Sequence, residues 1–135
     1  MREILFRGKD IKGNWYEGLL AHNIAKDEWY ISNKAGISTA YQVRPETIGQ
    51  FTGLTDKNGT RIFEGDIVRH YCKLPVPGGE IGTDRGTIKW DSEECCFFRT
   101  SLDGKDKTIS AKCEYEIIGN IYDNPELIGD ESNGI

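Results

Sequence analysis

The chain is short of most features that announce a chemistry. Its 135 residues include only two histidines, and neither a Gly-x-Ser-x-Gly nucleophile elbow nor a phosphate-binding glycine loop occurs. Four cysteines, Cys72, Cys95, Cys96 and Cys113, form no Cys-x-x-Cys knuckle, the spacing that brings two thiolates onto one zinc ion. On these grounds no metal, no cofactor and no catalytic residue is expected. Long apolar runs are missing too: Ile4-Leu5-Phe6 stands between charged residues and is too short for a signal peptide or a membrane span. A cytoplasmic location, with reduced and buried thiols, is the expectation that follows.

Basic runs are also absent. The 17 Lys and Arg are scattered singly among 22 Asp and Glu, for a net charge of −5. That balance opposes the positive footprint that supplies most non-specific nucleic-acid affinity. At this length and with 37% hydrophobic residues, the chain can bury roughly two-thirds of its unfolded surface without help from disulfides.

What is present is alternation of period two. Residues 2–7, 15–20 (extending toward Ile24), 28–32 and 38–43 read as a four-stranded antiparallel meander, which Arg44-Pro45 ends because proline cannot donate to a ladder. Residues 48–52, 61–63 and 66–71 follow, separated by the Asp56-Lys-Asn-Gly59 turn and the Glu64-Gly65-Asp66 turn, where Asn and Gly accept positive φ. A long loop is expected over 74–86, then a hairpin of 86–90 and 95–99 across Asp91-Ser-Glu-Glu94. Strands at 108–112 and 115–122 close the set, the last either buried on both faces or bulged at Gly119. One helical turn is expected at Asn124-Pro-Glu-Leu-Ile128, with Asn124 capping and Pro125 in the first position. The resulting fold class is mainly β: an N-terminal meander (1–50) packed on a small SH3-like barrel (51–128), with a tail from 129 to 135.

Three blocks in order, Arg2-Glu-Ile-Leu-Phe-Arg-Gly8, the run from Pro45 to Val68, and Tyr115-Glu-Ile-Ile-Gly-Asn-Ile-Tyr-Asp-Asn-Pro-Glu-Leu127, resemble the YopX family of phage and prophage proteins. Trp15-Tyr-Glu-Gly18 fits that family's aromatic second strand. The resemblance implies a mostly β protein from a mobile element and brings no catalytic residue with it.

Candidate binding residues are Trp90, Pro75 and Pro77 around the long loop, and Glu64 and Asp66 in the tight turn. Asp66 also has a structural role open to it, because a carboxylate there can accept backbone amides and set the turn. His22 and His70 would act as bases only beside a nucleophile or an orienting acid, and read otherwise as strand histidines. Adjacent aromatics such as Trp15-Tyr16, Trp29-Tyr30 and Phe97-Phe98 point to opposite faces of their strands. Either a second layer covers both faces or an exposed aromatic strip meets a partner. The run Cys95-Cys-Phe-Phe98 sharpens the choice, since its burial calls for a barrel or a subunit interface and makes a homo-oligomer an expectation. The leading function is a protein-binding module for a host or phage protein; the alternatives are a small-barrel nucleic-acid module and a small hydrolase built on Glu64, Asp66 or His70.

Overall fold

The computed structural model describes residues 3–32, 39–73, 80–101, 104–110 and 113–128, with backbone alone at 72–73 and 80–84. Two compact units divide it, Met1–Gly53 and Leu54–Ile135. Pro75 and Pro77, the turn at residues 33–36, and the tail lie outside the described residues. Among the described residues, no helix is long and apolar enough to cross a membrane.

The first unit is a meander of β1 (Phe6–Lys9), β2 (Trp15–Asn23), β3 (Glu28–Ser32) and β4 (Ala40–Val43), with β5 (Gly49–Thr55) laid on the free side of β1. Residues directly opposite in an antiparallel ladder share a face. The register therefore puts Gly8, Leu20, Ile31 and Val43 on one face, with Arg7, Glu17, Ala21 and Gln42 on the other. Ile31 and Val43 are buried on the first of these. Pro45, with its fixed φ, opens a 3₁₀ turn at Pro45–Thr47. That turn is tied back to β1: Lys9 N–H donates to Thr47 Oγ1 at 2.9 Å, and Arg44 N–H to the Lys9 carbonyl at 2.8 Å. Gly8 is needed at the crossing, because a Cβ there would stand 2.8 Å from Val43 Cβ.

The opening strand starts and ends later than the sequence suggested. Asp10 Oδ1 accepts the amides of Lys12 at 2.9 Å and Asn14 at 2.8 Å, so the reversal begins at Asp10 and leaves Gly8 and Lys9 in the ladder. The Asn14 amide, the foremost of these partners, holds the Asp10 carboxyl below the ordinary range by stabilising its charge.

β6 (Arg61–Phe63) pairs with β5 at the far edge of that sheet. The second sheet has the order β10-β9-β8-β7-β11, from β7 (Asp66–Lys73), β8 (Glu80–Asp91), β9 (Cys96–Ser101), β10 (Asp106–Thr108) and β11 (Glu114–Asn120). Val68, Ile88 and Tyr115 share one of its faces and form the core with Ile62, flanked by Leu54, Phe97, Ile109 and Ile117. Among the described residues β10 and β11 are not paired with each other, and no closed barrel is detected.

Several expectations are corrected here. Residues 80–86 are strand, not loop: Lys73 pairs with Glu80 and Tyr71 with Gly82, so the main-chain ladder overrides the poor strand propensity of Glu, Gly and Asp. Cys95 lies in the turn with φ +54°, and strand pairing resumes at Cys96. The penultimate strand starts earlier than expected and covers Asp106–Thr108, with residues 109–110 outside it and 111–112 outside the described residues, because Ser101 N–H closes on the Lys105 carbonyl at 2.9 Å and sets a short hairpin with Gly104 at φ +84°. The thiols of Cys95 and Cys113 are free and exposed, and that of Cys96 is free and half-buried, rather than all buried.

Two other readings hold. Ile117 pairs with Val68 and Gly119 with Ile67, leaving Ile118 as a bulge. The expected helical turn is present at residues 126–128, with Leu127 N–H donating to the Asn124 carbonyl at 3.0 Å, but the Asn124 side chain does not cap it: its Oδ1 accepts Asn120 N–H at 3.3 Å. The turn packs over the bulge, where a Cβ on Gly119 would meet Asn124 Oδ1 at 2.6 Å.

Gly86 carries the sharpest steric demand. A Cβ there would lie 2.4 Å from Arg99 Cγ and 3.0 Å from the Thr100 carbonyl oxygen. Gly86→Ala is therefore expected to lower unfolding stability by about 2 kcal/mol, read as a lower urea midpoint at unchanged slope.

Candidate functional site

The Glu64-Gly65-Asp66 turn is built for structure. Asp66 is 1% exposed, and its Oδ2 accepts the Phe63 amide at 2.8 Å. Gly65 has φ +94°, and both of its main-chain groups are used: its N–H donates to the Ile88 carbonyl at 2.9 Å, and its carbonyl accepts Ile121 N–H at 3.0 Å. One tight turn thus joins β6–β7 to β8 and to the segment after β11. The Asp66 carboxylate is enclosed, while Glu64 beside it is half-buried.

His70 lies four residues along the same strand, which separates its backbone from that of Asp66 by about 13 Å. Its ring sits 5.3 Å from that of Tyr115. Asp66 and His70 therefore do not form an acid–base pair. His22 belongs to the other unit, at the β2–β3 hairpin, stacked on Trp29 at 3.8 Å and bonded through Nε2 to Asp27 Oδ1 at 2.8 Å. Among the described residues no group of three or more His, Cys, Asp and Glu is placed to hold a metal ion.

Asp56 carries more than its turn position suggested. It is 7% exposed, and Oδ1 accepts the amides of Asn58 and Thr60, each at 2.9 Å. Oδ2 accepts Ile117 N–H at 3.2 Å across 61 residues of sequence, and Lys57 N–H donates to the Tyr115 carbonyl at 2.8 Å. The turn covers the outer edge of β11 in this way. The Asp at the head of an Asp-x-Asn-Gly turn was visible in the sequence; its distant third partner was not.

Among the described candidate binding residues, Trp90 is the one that remains exposed. It stands two residues beyond Ile88 on the core face of β8, yet it is 44% exposed at the end of the sheet. Its cross-strand partner Phe97 meets it edge-on, with centroids 4.9 Å apart and planes at 64°. Phe97 also packs against the core, so the hydrophobic run at 95–98 is anchored from within the unit.

A family model described as YopX protein matches residues 6–129. The chain belongs to the YopX family. A similar fold occurs in the crystal structure of protein EF1440 from Enterococcus faecalis: TM-score 0.54, 25% sequence identity, covering 95% of this chain and 99% of that one. No curated protein matches the chain.

Beneath the surface this YopX-family protein keeps a polar group that sequence reading did not single out. Arg99 is 3% exposed, lies over Gly86, and donates from Nη1 to Ser101 Oγ at 3.1 Å. Tyr115 is buried on the same face, with its hydroxyl accepting the Ser110 amide at 3.2 Å. Burial pushes the Tyr115 phenol above its ordinary pKa; the Ser110 bond and the Arg99 charge pull it down, but less strongly.

Two measurements check these roles. Asp56→Ala strips three amides of a charged acceptor and is expected to cost about 3 kcal/mol or more in urea unfolding. Because the folded pKa of Tyr115 is raised, its contribution is complete below the unfolded value of about 10 and is lost as pH rises from there through the folded value. The wild type should therefore lose stability faster than Tyr115→Phe above about pH 10.

Proposed function

We propose that the protein is a non-enzymatic protein-binding module of phage or prophage origin, acting in the cytoplasm of a bacterial host on a host or phage protein. The observation that carries this reading is Trp90: a large aromatic side chain on the core face, held by Phe97 and left 44% exposed at the end of the sheet. Aromatic side chains anchored on rigid strands are typical centres of binding energy, because little side-chain entropy is lost when a partner covers them. The candidate general base at Asp66 is occupied by its own turn, which takes support from the hydrolase reading.

The strand order favours a small-barrel relationship as well. Four strands in a meander with the fifth returned beside the first, β10-β9-β8-β7-β11, match the order of SH3-like barrels, which supports an SH3-like ancestry for this sheet. A nucleic-acid function draws less support. Arg7 and Lys9 lie 4.8 and 5.7 Å over Trp15, so that ring is already covered, and the net charge of −5 repels phosphate.

The test is affinity purification of the tagged chain from the bacterial host, with proteins identified by mass spectrometry and nucleic acid assayed in the eluate. A small set of proteins retained by the wild type and depleted at least about fivefold with Trp90→Ala is expected. Recovery of nucleic acid alone, or of the same proteins with both chains, would sink the reading.

A further inference from the structure

Three half-buried aromatic rings carry groups of the protein's own. Trp15 carries Arg7 and Lys9, Tyr71 carries Lys57 at 4.3 Å, and Trp29 carries the His22 ring at 3.8 Å. Trp90 breaks the pattern. Among the described residues its ring meets Phe97 alone, edge-on, and no cation lies over it.

The hairpin tip that follows that ring has one sign, whereas on the sheet face of Trp90 itself lie buried Arg99 and, opposite it, exposed Lys107. From Trp90 to Phe98 the chain contains Asp91, Glu93 and Glu94 and no Lys or Arg. Asp91 Oδ1 accepts the amides of Glu93 at 2.9 Å and Glu94 at 3.2 Å, which fixes the hairpin tip. Glu93 and Glu94 are exposed, and among the described residues their carboxylates have no partner. Lys89 projects to the opposite face of the sheet from Trp90.

We propose that the open face of Trp90, with the Glu93 and Glu94 carboxylates in the turn that follows it, seats an arginine or lysine side chain from a basic peptide segment of the partner protein. This rests on the protein-binding reading above and names the chemistry of its partner. A guanidinium or ammonium group over the indole gains the cation–π attraction that Arg7 and Lys9 already give Trp15, and the carboxylates supply the charge complement. An acidic or neutral segment would leave both glutamates uncompensated.

The indole N–H signals of Trp15, Trp29 and Trp90 make the experiment internally controlled. Isotope-labelled protein is titrated with an Arg-Ser repeat peptide at about 150 mM salt, where long-range attraction to the acidic surface is screened, and with a Glu-Ser repeat peptide in parallel. A saturable shift of the Trp90 indole is expected with the basic peptide only, with the other two indoles still. The Glu94 and Phe97 amide shifts should give an affinity about fivefold or more weaker in Trp90→Leu and in Glu93→Gln/Glu94→Gln, with unchanged melting temperature. A silent Trp90 indole, shifts spread over the whole surface, or equal affinity in Trp90→Leu would overturn the assignment. Should the purification still recover a Trp90-dependent protein while the Trp90 indole stays silent, the basic partner is wrong and the binding reading stands.

Discussion

The second unit depends on the carboxylate of Asp56. An edge strand leaves unpaired main-chain groups along its outer side, and among the described residues β11 is such a strand. The Asp56 turn covers it with one side chain and one amide: Oδ2 takes the Ile117 N–H, and Lys57 N–H is given to the Tyr115 carbonyl. The same carboxylate holds its own turn through Asn58 and Thr60. Local turn geometry and long-range closure thus rest on one buried acid, and a buried acid is stable only because backbone amides replace the water it has lost.

A second constraint is close approach, met by removing side chains. Gly8 lets Val43 reach β1, and Gly86 lets the aliphatic part of Arg99 cross β8, so that a cation can lie in the interior with its tip toward Ser101. The glycine-rich character of the chain is therefore partly a packing device. At Gly65 the requirement is different: φ +94° is open to glycine at little cost, and the turn it forms gathers Ile88 and Ile121.

The candidate site grows from the same economy. Alternation drives Ile88 inward and carries Trp90 onto the same face, but the sheet ends before that face is covered. The exposed ring is thus a consequence of register and of where the strand stops, and the turn beyond it is acidic. By contrast, the acidic pair around Gly65 looks reactive on paper and is spent on backbone hydrogen bonds in the fold.

Period-two alternation was enough to place β2, β3, β6 and β7, and Asn-Gly and Gly-Asp pairs to place the reversals before β6 and β7, because both signals act within a few residues. The bulge was legible in Ile117-Ile118-Gly119 for the same local reason. The start of β8 was not, since Glu80, Gly82 and Asp84 have weak strand propensity and the segment is held by pairing of Glu80, Ile81 and Gly82 with β7. Nor could alternation show that Asp56 reaches Ile117, that Arg99 lies buried over Gly86, or that Trp90 is left without a cation while Trp15 has two. The sequence by itself determined a mainly β chain and its turns, through backbone preferences that each residue carries alone. Which acids are enclosed and which aromatic ring faces outward were decided by tertiary structure, because burial and long-range hydrogen bonds arise only when distant strands are brought together.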